Sequence, residues 1–558
     1  MKLRRKILVG VAWPYVNGEP HLGHIAGMNM SADIFARFHR ISGNDVVMVS
    51  GSDMHGTPTA LKAIDENTTP EKIATKYHKI WEQALNDMGF SYDLYTNTHT
   101  QEHQDVVHDI FLKLEKKDLL YEQTQSMPFS EKEKLFLSDR FVYGECPYCD
   151  ENKARGDQCE KCGKTLDPID LKNIKSIRDN STPVFKETTH KFIKLSFFEE
   201  KLRSWIESRS DWRQNVVNQS LGMIKEGLHD RAITRDIEWG IPVPVSDEKY
   251  SSKSIYVWFE AVIGYLSATK SWAKKQGDKN LWKKWWIDPD GETYYFQGKD
   301  NIPFHTIIWP AILLGYEELN LPTDVVANEY LNLGGLDFSK SKGHAVWVRE
   351  FLESYESEPL RYYLTKIMPE TSDSEFTWKG FVESNNNELV ATLGNFVHRI
   401  FNIINKNYDG IIPDPQSIEK EDEKILDQCK KTLIDISSCI DSRKFRNALN
   451  HLMQLARDGN KYIDKKEPWK MVKIDKKLSS TSLWVGCNII SALRTAMYPF
   501  LPKTSDKIHN MIFDDSDTLR DGWSVREIPP ETKLKNVKTL FIKLDESVIE
   551  FENGKFKD

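Results

Sequence analysis

A chain of 558 residues is longer than one hydrophobic core serves and implies three or four structural units. With 39% hydrophobic and 28% charged residues, it has the composition of an ordinary globular protein, and no uninterrupted apolar run approaches the ~20 residues of a membrane span. A formal net charge of −7 excludes a globally basic nucleic-acid binder, so an RNA partner would need local basic surface.

The N-terminus is basic (Met1 to Lys6), but the apolar run Ile7–Val11 is short and passes straight into Trp13-Pro14-Tyr15 without a small-residue cleavage site. That pattern predicts a strand rather than a signal peptide, and a cytoplasmic protein. A Pro/Asn/Gly turn (Pro14 to Pro20) leads to His21-Leu22-Gly23-His24, a helix-like stretch Ile25–Ile41 ending at Ser42-Gly43, and a second apolar run Val46–Ser50. This is the βαβ opening of a Rossmann-like parallel sheet over residues 1–116. A strand-to-helix junction favours a polyphosphate, because unpaired backbone N–H groups and the helix dipole face the ligand there. At i,i+3 spacing, His21 and His24 present both imidazoles on one side, where neutral N–H groups can donate to phosphate oxygens. By itself such a pair of histidines is more often incidental. No G-x-x-x-x-G-K-[ST] loop occurs.

Residues 117–215 break the pattern and read as an insertion. Within it, Cys146, Cys149, Cys159 and Cys162 form C-x2-C-x9-C-x2-C, two tight thiolate turns that together complete a tetrahedral zinc site. Four thiolates leave no open coordination position, which predicts a structural Zn²⁺; two disulfides are the alternative, disfavoured in a reducing compartment. Cys429, Cys439 and Cys487 read as small core residues in helices. Residues 216–335 return to α/β character, with Tyr294-Tyr295-Phe296 leading into Gly298-Lys299-Asp300. Phe338-Ser339-Lys340-Ser341-Lys342-Gly343 follows, a loop whose lysines can neutralise a departing pyrophosphate, or else a polar surface turn.

Helical periodicity dominates from 385 to about 510, and the remainder is mixed, with Thr539–Ile542 strand-like. Leu389, Leu393, Phe396, Val397, Ile400 and Ile404 form one apolar stripe, which leaves Asn395 and Arg399 adjacent on the opposite face. Trp469 follows Pro468 inside the lysine-rich run 461–477, which carries seven lysines against three acids, either an RNA-facing patch or a solvated face.

HLGH with a downstream FSKS resembles the paired signatures of class I aminoacyl-tRNA synthetases, and the surrounding segments narrow the resemblance to the methionyl-tRNA synthetase family. These segments are Trp13-Pro-Tyr15-Val-Asn17-Gly18, Gly51-Ser-Asp53-Met-His55-Gly56-Thr57-Pro58, Arg231-Ala-Ile-Thr-Arg235-Asp236, Tyr256-Val-Trp258-Phe-Glu-Ala261-Val-Ile-Gly-Tyr265 and Gly298-Lys299-Asp300-Asn301-Ile-Pro-Phe-His305. The resemblance spans nearly the whole chain.

It implies adenylation of methionine by ATP with Mg²⁺, then transfer to the terminal adenosine of tRNA(Met). His21, His24 and Lys340 would be the catalytic residues, and Gly23, Ser339, Ser341 and Lys342 would join them around ATP. Asp53 would hold the methionine ammonium, with Trp13, Tyr15, Trp258, Ala261, Tyr265 and His305 around the side chain. Asn395, Arg399 and Trp469 would read the anticodon. The implied architecture is a catalytic domain in two halves (1–116 and 216–335), the zinc-knuckle insertion (117–215), a stem-contact region with the FSKS loop (336–384) and a helical-bundle anticodon domain (385–558).

Three positions depart from the family pattern: Asp337 stands where the first loop lysine is usual, Trp13 where leucine is commoner, and Val262 where proline is common. The segments 123–135 and 172–183 hold no cysteine, so a single zinc is expected, and the lack of a long C-terminal extension points to a monomer. The competing expectations are another class I synthetase and a tRNA-binding protein whose activation site has weakened.

Overall fold

The computed structural model describes residues 4–159, 161–164, 166–334, 336–337, 345–515, 517 and 521–555, without the side chains of Asp139, Leu336 and Asp337. The expected FSKS loop, including Ser339, Lys340, Ser341 and Lys342, lies outside the described residues.

The first apolar run forms β1 (Lys6–Val11), which passes through the Pro/Asn/Gly turn to a short helical turn, Leu22–His24. A π-helical turn, Ile25–Asn29, then feeds α1 (Met30–Ile41), so the stretch expected as one regular helix is widened at its start. β2 (Asp45–Ser52) and β3 (Leu94–Asn97) follow. After the insertion come α2 (Val257–Lys275), β4 (Gly291–Gly298) and β5 (Asp324–Asn328). The five strands pair in the order β5-β4-β1-β2-β3, all parallel. This is the doubly wound order, in which the crevice for ligands opens beyond the strands' carboxyl ends where the winding reverses, between β1 and β4. Ile7, Leu8, Val9 and Val11 are all fully buried, as a strand covered on both faces requires.

The insertion has antiparallel sheets of its own. Leu120–Ser130 pairs along its length with Val184–Ile193, and Val142–Glu145 sits between Ala154–Arg155 and Lys172–Ser176. The sequence does not announce the long hairpin, because its middle pairs Gln123 with His190 and Thr124 with Thr189, polar residues without an apolar run.

Beyond β5, α3 (Ser357–Lys366) packs against α1 and the π-helical turn Ile25–Asn29, and a π-helical stretch Ser384–Gly394 continues into α4 (Asn395–Asn407). The bundle is completed by α5 (Lys420–Asp441), α6 (Phe445–Lys466) and α7 (Lys476–Met497). The expected stripe is the buried one: Leu389, Leu393, Phe396, Val397, Ile400 and Ile404 are each at most 2% exposed. Thr539–Ile542 is not a strand. Leu540 and Phe541 are buried, yet the backbone there and just beyond is met by side-chain amides: Asn385 Nδ2 donates to the Ile542 carbonyl, and Asn386 exchanges two bonds with Leu544. Among the described residues no helix is long and apolar enough to cross a membrane.

One buried arginine ties these layers together. Arg361 of α3 places Nη2 2.6 Å from Asp33 Oδ2 on α1 and donates from Nε to the Phe500 carbonyl at the end of the bundle. Burial raises the Asp33 pKa, but Arg37, Arg361 and the Ser91 hydroxyl outweigh it and hold the carboxyl well below the ordinary range. A depressed folded-state pKa contributes stability above the unfolded-state value that is lost as pH falls through the folded value. Replacing Arg361 by Met should therefore cost about 3–5 kcal/mol at neutral pH in urea unfolding, because a buried carboxylate loses a partner. The cost should shrink in strong acid, where Asp33 becomes neutral.

Candidate active site

His21 caps the turn Leu22–His24, and its backbone N–H donates to His24 Nδ1 at 3.1 Å, which brings the two ring centroids to 3.7 Å. Because Nδ1 of His24 accepts, the neutral ring carries its proton on Nε2, as a donor. Trp81 packs edge-on against His24 at 5.0 Å, and its Nε1 donates to the Gly18 carbonyl, fixing the turn that precedes the histidines. The two imidazoles thus face each other where the chain enters its first helical segment after β1, with Leu22 and Gly23 between them in sequence.

The strand ends supply a second constellation beside this turn. Tyr15 and Asp53 form a parallel bridge where β1 and β2 end. Asp53, Trp13, Tyr15, Trp258, Ala261, Tyr265 and His305, all seven expected for the amino-acid pocket, line one cavity of about 60 Å³. Trp258 Nε1 donates to the Tyr15 hydroxyl at 2.6 Å. His305 Nδ1 donates to the Asn301 carbonyl, so Nε2 accepts from the Tyr265 hydroxyl at 2.7 Å. Burial lowers the His305 pKa to about 4, keeping that ring neutral in this chain of bonds.

Asp53 is 3% exposed, and its Oδ1 has no hydrogen-bond partner among the described residues. Burial, and then the charge of Glu260, push its pKa well above the ordinary carboxylate range against the His55 backbone amide. A buried carboxylate oxygen without a partner is costly, and a cation entering the cavity would relieve it.

Trp13, which stands where leucine is commoner in the family, is held in a slot. A Cβ at Gly51 would lie 2.3 Å from Trp13 Cζ3, and one at Gly264 would lie 2.7 Å from Cε2 and Cζ2. The indole stacks on His103 and meets Tyr265 edge-on.

In the insertion, the four cysteine sulfurs lie within 4.8 Å of one another and no disulfide joins them. The distances Cys146 Sγ–Cys162 Sγ of 3.9 Å and Cys149 Sγ–Cys159 Sγ of 3.6 Å bracket the ~3.8 Å edge of a tetrahedron with 2.3 Å Zn–S bonds. The donor set fits a closed zinc site. On the bundle, the Arg399 guanidinium lies 4.6 Å over the Trp469 ring and pairs with Asp464, while Asn395 is exposed one helical turn earlier. Within the lysine run beside them, two lysines pair with acids distant in sequence: Lys465 with Glu421, and Lys466 with Glu419 and Asp422.

The family model for class I tRNA synthetases (M) matches residues 7–401, and that for the anticodon binding domain of methionyl tRNA ligase matches 412–557. The chain belongs to the methionyl class I tRNA synthetases. Among similar proteins, the methionine–tRNA ligase of Dehalococcoides mccartyi is 44% identical, with 99% of this chain and 100% of the relative covered. The ligase of Thermomicrobium roseum is also 44% identical, with coverages of 98% and 97%. The fold is like that of Mycobacterium tuberculosis methionyl-tRNA synthetase in complex with methionyl-adenylate, with a TM-score of 0.80, 22% identity, and 96% and 99% of the two chains covered.

The sequence reading did not single out four features of this synthetase's pocket. Ala12, Asn301 and Phe304 also line the cavity. Behind it, Glu260, fully buried, takes His55 Nδ1 at 2.7 Å and lies 3.5 Å from His103 Nε2. His55 and Glu260 both sit inside segments that carry the family resemblance, which is the signal that marked them. The slot around Trp13 has a direct test. Gly264→Ala should destabilise the protein by about 1–3 kcal/mol through overpacking. Most of that cost should vanish in Trp13→Leu/Gly264→Ala, as read by denaturant unfolding of the two variants and of Trp13→Leu alone.

Proposed function

We propose that this chain is a methionine–tRNA ligase, which forms methionyl-adenylate and pyrophosphate from L-methionine and ATP and then acylates the 3′-terminal adenosine of tRNA(Met). The observation that carries this reading is the partnerless Asp53 carboxylate oxygen, set in an aromatic cavity at the strand edge from which the His21–His24 turn also starts.

In this reading, Asp53 takes the methionine ammonium, and the thioether packs on Tyr15, Trp258 and Tyr265, where sulfur–aromatic contacts are worth about 0.3–1.5 kcal/mol. Trp13 and Ala261 close the cavity, and His305 fixes the Tyr265 hydroxyl. An oxygen of the methionine carboxylate attacks the α-phosphorus as the bond to the β-phosphate oxygen breaks. The nucleophile is already ionised, so no base is needed, and orientation with charge stabilisation carries the step. His21 and His24 donate to the phosphates near the Gly23 backbone, and Mg²⁺ arrives with ATP to offset its charge. Lys340 and Lys342, with Ser339 and Ser341, neutralise the pyrophosphate. In the second step a ribose hydroxyl of the terminal adenosine attacks the adenylate carbonyl and AMP leaves. Arg399, stacked on Trp469, and Asn395 read unpaired anticodon bases. Cys146, Cys149, Cys159 and Cys162 hold one structural zinc, and the enzyme acts as a cytoplasmic monomer.

Methionine-dependent ATP–pyrophosphate exchange tests the activity. Exchange with methionine alone is expected; no exchange would point to an RNA-binding protein without activation, and exchange with isoleucine, valine, leucine or cysteine would overturn the substrate. Asp53→Asn should raise the methionine KM about 10–100-fold, the worth of a charged hydrogen bond. Since burial raises the free carboxyl's pKa and an ammonium needs it ionised, methionine should bind more weakly as pH falls, and calorimetry should find that slope absent in Asp53→Asn. Metal analysis of the purified protein should find one zinc per chain, reduced in Cys149→Ser; a metal-free protein with full thermal stability would contradict the zinc assignment.

A further inference from the structure

We propose that Arg213 and Asn328 are positioning residues for the activation step, tying the α5–α6 turn of the helical bundle to the widened turn behind His21 and His24. The proposal rests on the reading of those histidines as phosphate-side groups.

The connection is a series of bonds between parts of the chain that are far apart in sequence. Asn328, the last residue of β5, is fully buried, and its Nδ2 donates to the Ala26 carbonyl at 3.1 Å. Ala26 lies in the π-helical turn Ile25–Asn29, where the Met30 N–H reaches back to the Ile25 carbonyl and the backbone carries one residue more than a regular turn holds. Such widened turns are frequent at functional sites. This one is held from two sides, because Asn29 Nδ2 also donates to the His24 carbonyl and its Oδ1 accepts from the Tyr92 hydroxyl.

The orientation of the Asn328 amide is set by Arg213. Its Nη1 donates to Asn328 Oδ1 at 2.6 Å and to the Ala327 carbonyl at 2.8 Å, which leaves Nδ2 aimed at Ala26. Arg213 Nη2 in turn donates to the Arg443 carbonyl at 3.1 Å. Arg443 is in the left-handed region, φ 55°, in the turn between α5 and α6, and its side chain pairs with Asp324 at the opposite end of β5 and with Asp211. One turn of the bundle thereby grips β5 at both ends.

From that turn, α6 runs 22 residues to Asp464 and Lys466, about 33 Å, and Asp464 pairs with Arg399 beside Trp469. A displacement of α6 at its RNA-facing end is carried by a rigid helix to Arg443, by Arg213 to Asn328, and by Asn328 to the turn that aims the histidines. The series of bonds ends on the widened turn, which Asn328 holds at the Ala26 carbonyl and Asn29 at the His24 carbonyl.

Asn328→Asp separates this role from packing. It keeps the acceptor for Arg213 and removes the donor to Ala26. In pyrophosphate exchange, kcat/KM for ATP should fall about tenfold, the scale of a small misplacement at a reacting centre, while the methionine KM and the thermal midpoint stay near wild type. Arg213→Lys, which keeps the charge and loses the fork, should do the same. The double variant should lose no more than the worse single one, since both act on one series of bonds. Wild-type ATP parameters in Asn328→Asp, or ATP and methionine parameters falling together with the midpoint, would overturn the positioning role. Wild-type protein without methionine-dependent exchange would instead strike the proposed function.

Discussion

Val11 lies level with Phe296 of β4 on one side, and on the other its carbonyl accepts the Ser50 hydroxyl of β2, because β1 runs parallel to both neighbours. Everything at the candidate site follows from that shared direction. Trp13 and Tyr15 leave β1, Asp53 leaves β2, and His305 stands on the helix after β4, all at one edge. The histidine turn follows β1 through the Pro14–Pro20 segment that Trp81 holds at Gly18. Trp258, Ala261, Val262 and Tyr265 come from elsewhere, on α2, which crosses that edge. An antiparallel β2 would send Asp53 to the far side of the sheet. The constellation is a property of strand direction before it is one of any single residue.

Two buried aspartates show how the same side chain is given opposite tasks. Asp33 is enclosed by Arg37, Arg361 and Ser91, all its acceptor capacity is used, and its pKa is driven down. It joins layers. Asp53 is as deeply buried, but one oxygen lacks a partner and Glu260 adds to the cost of its charge. The free protein therefore holds a polar group in an unfavourable state at the place where an ammonium would improve it. Glu260 itself stays ionised against the burial that raises its pKa, because His55 and His103 face it. The cluster behind the cavity keeps negative charge near Asp53 without competing for the same ligand.

What the sequence made legible was local or periodic. The cysteine spacing predicts the cluster because each pair lies on one tight turn, and the stripe from Leu389 to Ile404 predicts the buried face because helical periodicity is short-range. The amino-acid cavity was legible through family resemblance, which supplied all seven of its expected residues. Long-range polar contacts were invisible. Asn328 and Ala26 are 302 residues apart, and Arg213 meets Asn328 across 115. Charge counting along 461–477 likewise misses the acids that Lys465 and Lys466 meet, since Glu419, Glu421 and Asp422 come from the start of α5. Thr539–Ile542 reads as a strand because Leu540, Phe541 and Ile542 form an apolar run, while the Ile542 carbonyl is met by the Asn385 side chain, which no propensity anticipates.

That Asp53 and the aromatic cavity hold the amino acid is tested most directly by a crystal structure of the chain with L-methionine bound. The account predicts the ammonium within about 3 Å of Asp53 Oδ1, and the thioether among the Tyr15, Trp258 and Tyr265 rings. Methionine bound elsewhere, or seated in the cavity with its ammonium away from Asp53, would contradict it.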